Sequence, residues 1–548
     1  MSRFHLVACP LFIALNLVSA AADDTALSGD SWWSRVKILA ADNMEGRNTG
    51  SEGYRKAAVY VAGEFEKLGL KPAGTKDYFQ PVTFDVRQIR EDQSSLELVR
   101  DDHSELLSLG EDANLGLPPD VAERVDAPAV FVGHGLVIPE MRIDDLSGLD
   151  LKGKIAVLLS GGPKTIPGPI KAHYSHPRQR WQALRQAGAV GIATIPNPKS
   201  MDIPWSRSTL ARLQPAMSLA DRKLDDAAGM MISVRINPAQ ADKFLAGSGH
   251  TIAELLALAD ADQPVPKFRL AQSIRAKTVV IKSRAVSMNI AAILYGSDPK
   301  LIREYVVLSA HLDHLGVGQP INGDKIYNGA MDNASGVASL LEVAQSLTQA
   351  AQRPSRSILF LAVTGEEKGL QGSKYFANYP TVPKKDLVAD LNADMFLPIH
   401  ALKSVRVFGL AESSLGDDIR AVCASLKVGA QSDPQPDRNV FIRSDQYSFI
   451  CQGIPSLSFA FGYEPGSAEE QLHKNWLKDR YHAPSDDFNQ PVDKAAAAQF
   501  NQILLSLAQR IANTPERPSW RPTSFFKRFA QDSNAGSGKH VAAPGFHG

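Results

Sequence analysis

Hydrophobic and polar positions follow different patterns along the chain, and the changes of pattern divide it into segments. Between residues 51 and 69, apolar side chains recur at helical spacing, which predicts an amphipathic helix that ends at Gly69. The later stretches FQPVTFDV and SSLELV alternate apolar and polar residues, which is typical of strands with one buried face. The chain is therefore expected to open with a helix followed by extended structure.

The pattern changes between residues 126 and 275. APAVFVGHGLV and LKGKIAVLLSGG indicate short strands, and RQRWQALRQAGAVGIATIPNP indicates a helix ended by Gly188 and then a buried strand. We predict a β-rich insert that contains a βαβ element. Its histidines, His134, His173 and His176, lack carboxylates or histidines at ligand spacing, so we interpret them as structural.

After residue 276, apolar runs alternate with helical stretches. Near-continuous apolar strands that alternate with helices favour an α/β fold with a mostly parallel sheet sandwiched by helices. In such sheets, ligands bind beyond the carboxyl ends of the strands. The predicted strands are 305–310, 357–363, 387–391 and 456–461, and the predicted helices are 334–349, 370–377 and 413–426.

The two ends of the chain differ from the rest. Arg3 and His5 precede an apolar run that is followed by the small residues of VSAAADD, which is typical of a secretory signal peptide. The end of the chain is rich in Pro, Ser, Gly and Ala without periodicity, which predicts disorder. We therefore divide the chain into a signal peptide, the first part of the main domain, the insert, the rest of the main domain and a disordered tail: 1–22, 23–125, 126–275, 276–514 and 515–548.

Composition narrows the possible partners. The 548 residues include 59 Lys plus Arg and 59 Asp plus Glu, so the formal net charge is zero and gives no global attraction for nucleic acid or anionic membrane. We also expect no transmembrane segment, because no apolar run approaches the required length of about 20 residues. A periplasmic or extracellular location is expected, while the oligomeric state stays open, with a homodimer as one alternative.

The cysteines limit the metal chemistry. Cys9 would leave with the signal peptide, and the remaining Cys423 and Cys451 could form a disulfide or stay as free thiols. Two cysteines without close spacing do not make a zinc site. A metal site in this chain would therefore have to use histidines and carboxylates.

Candidate metal ligands lie at the ends of three predicted strands, at the entry of the helix after the first of them, and in a later loop. The motifs are AHLDHLG, MDNASG, TGEE, NADM and YHAPSDDF. Imidazoles and carboxylates without thiolates suit zinc or another borderline divalent metal, and a bridging Asp could hold two metals about 3.5–4 Å apart. The alternative is an ion-pair network, but Lys368 is the only cation beside the paired glutamates of TGEE.

These motifs, in this order, resemble the di-zinc exopeptidase family of clan MH. That family includes bacterial leucyl-type aminopeptidases and the glutamate carboxypeptidase type. The stretch MEGRNTGSEGYRKAAVYVAGEFEKLGLKPAG resembles the family's opening segment, and residues 126–275 resemble the protease-associated domain that many members carry. The resemblance implies a zinc exopeptidase-like α/β fold and two divalent metal ions, most simply Zn²⁺.

The resemblance also implies a role for each matching residue. His311 and Asp394 would bind one metal, Glu367 and His482 would bind the other, and Asp332 would bridge the two. Adjacent residues at a strand end point in different directions, so one glutamate of the pair can face a metal while its neighbour faces water.

Further positions follow from the same comparison of motifs. Glu366 falls on the general base, and Asp313 matches a carboxylate that orients His311. His314 has no ligand role in the pattern and is interpreted as structural.

Two positions concern the substrate. Tyr481 matches a donor to the oxyanion or is a packing aromatic, and Arg443 matches a substrate-orienting residue or pairs with Asp445. Relatives often have a histidine where this chain has Gln446.

The leading hypothesis is a secreted or periplasmic aminopeptidase that acts on peptide substrates. A carboxypeptidase or dipeptidase of the same family is the first alternative, although the sequence reveals no arginine cluster that would bind a terminal carboxylate. A non-catalytic receptor or scaffold is the second alternative, and the complete set of ligands and base argues against it.

Overall fold

The structure is a computed structural model that describes residues 27–534 apart from residues 102, 436, 437 and 439. The predicted signal peptide at 1–22 and the end of the predicted tail at 535–548 lie outside the described residues.

A sheet of ten strands forms the centre of the main domain. Its four middle strands, Ser357–Val363, Tyr305–His311, Leu387–Asn392 and Ser456–Phe461, are mutually parallel. The flanking strands pair mostly antiparallel, so the sheet is mixed, and the prediction of a mostly parallel sheet holds for the middle of the sheet only. The strands lie in the order Ala216–Leu219, Phe79–Ile89, Val280–Leu294, Ser357–Val363, Tyr305–His311, Leu387–Asn392, Ser456–Phe461, Ser404–Phe408 and Gly429–Gln431, and Lys71–Pro72 pairs with Val280–Leu294.

Helices cover both faces of this sheet. Alternate residues of one strand enter different cores: Val306 and Leu308 pack in one hydrophobic cluster, while Val307 packs in another. Since successive side chains of a strand point to opposite faces, the two clusters are the two helix-covered layers. The helices are Gly29–Leu39, Glu52–Lys67, Ser335–Gln349, Gln371–Asn378, Leu415–Ser425, Gln446–Ile450, Ala468–Asp479, Lys494–Asn513 and Lys527–Asn534.

The opening helix has the expected boundaries. The Ser51 hydroxyl accepts the main-chain N–H of Tyr54 at 3.1 Å, which caps the helix at its start. Gly69 has a φ of 73°, and this left-handed conformation ends the helix at low steric cost. The prediction of a helix between residues 51 and 69 is confirmed.

A second sheet of eight strands forms the inserted unit. It is mixed, and its helices are Gly168–Ser175, Pro177–Gln186, Trp205–Ser208, Ala241–Leu245 and Ile252–Asp260. Its strands lie in the order His103–Leu106, Ser95–Arg100, Phe268–Lys277, Arg124–Phe131, Ile155–Leu159, Gly191–Ile195, Ile232–Ile236 and Ala113–Gly116. Two short hairpins lie outside both sheets, Val137–Ile138 with Ile143–Asp144 and Gly316–Ile321 with Asp324–Tyr327.

The predicted boundary of the insert at residue 126 is wrong. Three strands of the second sheet precede that position, beginning at Ser95, while Ala216–Leu219 leaves the insert to pair with Phe79–Ile89 of the main sheet. The physical reason is that strands pair through space, so a unit can recruit segments from either side of a change in sequence pattern.

The predicted disorder of the tail is also wrong for its first part. Trp520 and Phe526 are buried with Ile442, Tyr447 and Ile450 in one hydrophobic cluster. These aromatic side chains supply enough apolar area to hold a Pro-rich segment against the main domain.

Two further observations concern the cysteines and the length of the helices. Cys423 and Cys451 are free thiols, so they do not form a disulfide. Within the described part of the chain, no helix combines the length and apolar character needed to cross a membrane.

Candidate metal centre

The parallel strands deliver the predicted ligands to one edge of the main sheet. His311 is the last residue of Tyr305–His311 and lies beside Val363 of the neighbouring strand. Glu366 and Glu367 follow that neighbouring strand, and Asp394 follows Leu387–Asn392 on the other side. Because parallel strands end at the same edge, residues distant in sequence meet there.

Asp332 reaches this edge from a turn at Ala330–Ala334 that leads into helix Ser335–Gln349. The Asp486 carboxylate accepts the main-chain N–H groups of Met331 and Asp332 at 2.9 and 3.0 Å. The Asp332–Asn333 peptide bond is cis. The turn that holds Asp332 is therefore fixed by a second carboxylate from the loop that also carries His482.

The two oxygens of Asp332 face two different histidines. Oδ1 lies 3.3 Å from His311 Nε2, which is also 3.2 Å from Asp394 Oδ1. Oδ2 lies 3.3 Å from His482 Nε2, which is also 3.3 Å from Glu367 Oε2. The structure thus brings the five predicted ligands together with Asp332 in the middle, and their binding of metal stays a prediction.

His314, which is expected to be structural, lies in the same cluster. Its Nδ1 is 2.8 Å from Glu367 Oε1 and 3.7 Å from Asp332 Oδ2. The side chains fall into two groups whose potential ligand atoms lie within 4.8 Å of one another: His311, Asp332 and Asp394, and His314, Asp332 and Glu367. Sequence reasoning assigned His482 to the second group and missed that His314 contacts the same carboxylates.

The electrostatics of this cluster fit bound cations. Burial alone would lower the pKa of His482, but the charges of Glu367 and Asp332 raise it to about 10. Burial also opposes the pKa shift of Glu367, whose pKa nevertheless falls well below its ordinary value beside His482 and His314. The protonated imidazole of His482 thus balances the acids, and a divalent cation would take the place of that proton.

Unsatisfied atoms support the same fit. Three buried atoms make no hydrogen bond: His314 Nδ1, His314 Nε2 and Glu367 Oε1. His314 Nδ1 and Glu367 Oε1 nevertheless lie only 2.8 Å from each other. A buried polar atom without a partner costs about 1–3 kcal/mol, and a metal bond would satisfy it. The donor set of imidazole nitrogens and carboxylate oxygens is one that zinc accepts.

Asp313 supports the site by a route other than the one expected. The His311 Nδ1 lies 3.0 Å from the main-chain carbonyl of Asp313, so the main chain and not the carboxylate orients this imidazole. The Asp313 carboxylate accepts the main-chain N–H groups of Glu366 and Glu367 at 3.1 and 3.4 Å, and the Thr49 hydroxyl at 2.9 Å. It therefore fixes the turn that presents the paired glutamates.

Arg47 is a buried support that sequence reasoning missed. Its guanidinium is fully buried and donates to four main-chain carbonyls, those of Leu39, Leu312, Asn328 and Gly329, at 2.6 to 2.8 Å. Burial lowers its pKa to about 10, while the nearby carboxylates oppose that shift. Arg47 thus ties the segment after His311 to the segment before Asp332.

A hydrogen-bond chain positions Asp394. The Ser444 hydroxyl donates to Asp394 Oδ2 at 2.5 Å, and the Asn392 amide donates to Ser444 at 2.8 Å and to Gln446 Oε1 at 2.9 Å. Gln446 also donates to the main-chain carbonyl of Phe441 at 2.8 Å. Gln446, which stands where relatives often have histidine, is therefore a buried supporting residue.

The remaining predicted residues line one cavity with the ligands. Glu366, Tyr481 and Arg443 border a cavity of about 110 Å³ together with His311, Asp332, Asp394 and His482. Arg443 does not pair with Asp445 as the alternative reading proposed; its Nη1 lies 2.7 Å from Asp202 Oδ2 of the inserted unit. The inserted unit therefore reaches the cavity.

The three histidines of the insert lie outside this cluster. His134 Nδ1 is 3.1 Å from the Leu159 carbonyl, and His173 Nδ1 is 2.9 Å from the Tyr447 hydroxyl. His176 Nδ1 accepts the main-chain N–H of Arg178 at 3.3 Å. These local contacts agree with the structural interpretation.

An α/β sheet with imidazoles and carboxylates gathered at its parallel strand ends is typical of metal-dependent exopeptidases. Residues 289–508 match the model of peptidase family M28. Over these residues the chain is similar to that family, which confirms the resemblance given by the motifs.

Two curated relatives are similar to part of this chain. Leupeptin-inactivating enzyme 1 of Streptomyces exfoliatus is 34% identical over 244 residues, which are 43% of this chain and 51% of that protein. The probable leucine aminopeptidase 2 of Aspergillus oryzae is 27% identical over 255 residues, which are 44% of this chain and 48% of that protein. The chain thus spans about half the length of the curated relatives it matches.

The solved structure of an aminopeptidase from Aneurinibacillus sp. strain AM-1 shares the fold. The TM-score is 0.55 at 19% identity, and the match covers 91% of this chain and 97% of that chain.

Proposed function

We propose that this chain is an exported, zinc-dependent aminopeptidase that removes N-terminal residues from peptides. The observation that carries the proposal is the position of Asp332, whose two oxygens face His311 and His482 at 3.3 Å each. The similarity of residues 289–508 to peptidase family M28 supports peptide hydrolysis, and the relative named as a leucine aminopeptidase supports the N-terminal direction. Export is proposed from the pattern of residues 1–22.

The proposed metal ligands are the five residues predicted from the sequence motifs. His311 and Asp394 would hold one zinc ion, Glu367 and His482 would hold the other, and Asp332 would bind both. When bound, the two ions would lower the pKa of a water molecule and polarise the scissile carbonyl. His314, at 2.8 Å from Glu367, would keep that carboxylate in position.

Glu366 is the proposed general base. Its half-buried carboxylate lines the cavity beside His311 and Asp394, and its main chain is held by Asp313. In that position it can accept a proton from the attacking water and return it to the leaving amine. Such proton transfer by a positioned side chain contributes typically 10²–10⁴-fold to a rate.

Three further residues receive supporting roles. Tyr481 lines the cavity next to His482, with ring centroids 4.0 Å apart, and could donate its hydroxyl proton to the oxyanion. Arg443, held by Asp202, would orient the substrate. The inserted unit, which we propose to be a protease-associated domain, would restrict the cavity by supplying Asp202.

The direct test is digestion of a peptide library by the zinc-loaded protein, followed by mass spectrometry. We expect stepwise loss of N-terminal residues, and a chelator-treated sample serves as the matched control. Loss of C-terminal residues would instead identify a carboxypeptidase. An absence of any cleavage in zinc-loaded protein would support the receptor interpretation and refute the proposal.

A further inference from the structure

Arg406 places a positive charge in the wall of the cavity that holds the candidate metal ligands. It lies on strand Ser404–Phe408, which runs antiparallel to Ser456–Phe461, with Arg406 opposite Ala460. The beginning of this strand therefore lies at the edge where the parallel strands end. Arg406 lines the same cavity as His311 and Asp394.

The alternation of the strand explains why this side chain faces the cavity. Val405 and Val407 pack in the hydrophobic core, so the residues between and after them point to the other face. Arg406 and Phe408 line the cavity together with their cross-strand partners Ala460 and Ser458. The small side chains of those partners leave space in front of the guanidinium.

Arg406 is buried without a carboxylate partner among the described residues. Only 4% of the residue is exposed, and its Nε makes no hydrogen bond. Its Nη1 donates to the Tyr463 hydroxyl at 3.1 Å, and its guanidinium lies over the rings of Tyr463 and Phe408 at 4.7 and 5.7 Å. Stacking holds the guanidinium in place but does not neutralise it.

The other two arginines of the cavity differ in this respect. Arg438 and Arg443 both pair with the Asp202 carboxylate of the inserted unit. A buried charge is costly unless it is paired, so the cavity retains one cation that calls for an anion. Arginine matches a carboxylate well because two of its N–H groups can donate to the two oxygens in parallel.

A larger cleft outside the cavity carries an excess of positive charge, the same sign as that of Arg406. Its volume is about 990 Å³, and it shares Asp202, Arg438, His473 and Leu477 with the cavity. Among the described residues, six lysines and arginines but only two aspartates line it. Some of these cations pair with acids, as Lys199 does with Asp260, and the remaining excess of positive charge favours anionic ligands.

We propose that Arg406 binds a carboxylate of the substrate, and that this carboxylate is the side chain of an acidic N-terminal residue. The inference rests on the proposed aminopeptidase function and names the substrate class of that site. A terminal α-carboxylate offers the same chemistry, and the experiment separates the two sources.

The test compares isosteric substrates, the p-nitroanilides of glutamate and glutamine, with wild-type protein and Arg406→Met. We expect wild type to prefer glutamate in kcat/KM, and the variant to lose that preference by a factor on the order of 10 to 100, as for a hydrogen bond to a charged group. Arg406→Lys should recover part of the preference, because it keeps the charge without the planar donor pair. Arg510→Met is the control, since the exposed Arg510 side chain pairs with Asp418 and neither residue lines the cavity.

Several outcomes would overturn the inference. Equal kcat/KM for the two substrates in wild type, or an unchanged ratio in Arg406→Met, would leave Arg406 as a structural arginine. Cleavage of N-acetyl-Ala-Glu but not of its C-terminal amide would assign the carboxylate to the substrate's end. If Arg406→Met does not fold, inhibition of the wild-type protein by free amino acids tests the proposal instead. L-glutamate should inhibit more strongly than L-glutamine. Equal inhibition by the two would contradict the proposal.

The wild-type protein also separates this inference from the proposed function. Turnover of leucine p-nitroanilide without any preference for glutamate would leave the aminopeptidase proposal standing and refute the role of Arg406. Absence of turnover with every aminoacyl substrate would refute the aminopeptidase proposal itself.

Discussion

Replacing Arg47 with methionine should destabilise the main domain and weaken its metal site together. The substitution keeps much of the side-chain volume but removes the donations to the main-chain carbonyls of Leu39, Leu312, Asn328 and Gly329. Each of these buried carbonyls would lose a charged donor. Removing one member of a buried charged network typically costs about 3–5 kcal/mol.

The size of the expected effect can be measured as a change in Tm. For a domain of more than 150 residues, about 2 °C is lost for each kcal/mol, so Arg47→Met should lower the Tm of the main domain by about 6–10 °C. Arg55→Met is the matched control, because Arg55 is exposed and its pair with Glu52 on the helix surface should contribute less than about 1 kcal/mol.

The zinc dissociation constant should rise in the same variant, because Leu312 follows the proposed ligand His311 and Gly329 lies close before the proposed ligand Asp332. Differential scanning fluorimetry and competition with a fluorescent zinc chelator give the two quantities. If Arg47→Met changed Tm no more than Arg55→Met does, the buried network would not be holding these segments together.

Three further predictions concern the metals and the thiols. Asp332→Asn should reduce the zinc content below two ions per chain and abolish turnover, because Asp332 is shared by both proposed metal sites. Zinc content can be measured by plasma mass spectrometry. Retention of two ions would contradict a bridging role for Asp332. Treatment with a chelator should abolish hydrolysis and lower Tm, and added zinc should restore both, since a ligand that binds only the folded state stabilises it. Burial raises the pKa of Cys423 and of Cys451 to about 11, so roughly one thiol in a thousand is ionised at pH 8. Alkylation by iodoacetamide should therefore be slow at pH 8 and rise roughly tenfold for each pH unit towards 11; fast alkylation at pH 8 would contradict their burial.

The middle of the fold could be predicted from sequence because local pattern and tertiary structure agree there. The strands Ser357–Val363 and Ser456–Phe461 have the boundaries expected from their apolar runs, since both faces of each strand are buried. His311, Glu367 and Asp394 could be located for the same reason, because each lies at or just after the end of a strand that the pattern identifies.

The predicted boundary of the insert is wrong because strands pair with partners that are distant in the sequence. Nothing in the sequence near Ser95 indicates that this strand joins Phe268–Lys277, so the boundary of the insert was placed too late. The contact of Asp202 with Arg443 likewise joins two units that are far apart in the chain.

The supporting residues were missed because their partners carry no sequence signal. Arg47 binds main-chain carbonyls, which any residue provides, and Asp486 accepts main-chain N–H groups. His314 matched no ligand position in the motif, and only the structure shows that it contacts Glu367. Burial combined with hydrogen bonding is the observation that identifies such residues.

In the proposed mechanism Glu366 moves the proton while its neighbours hold the metals, and the variant Glu366→Gln separates these two roles. Zinc content and peptide turnover should be measured on the same preparation of Glu366→Gln, with wild type beside it. We expect two zinc ions per chain in both proteins. Turnover by the variant should be lower by about 10²–10⁴-fold. Turnover equal to wild type with two zinc ions bound would contradict the role of Glu366.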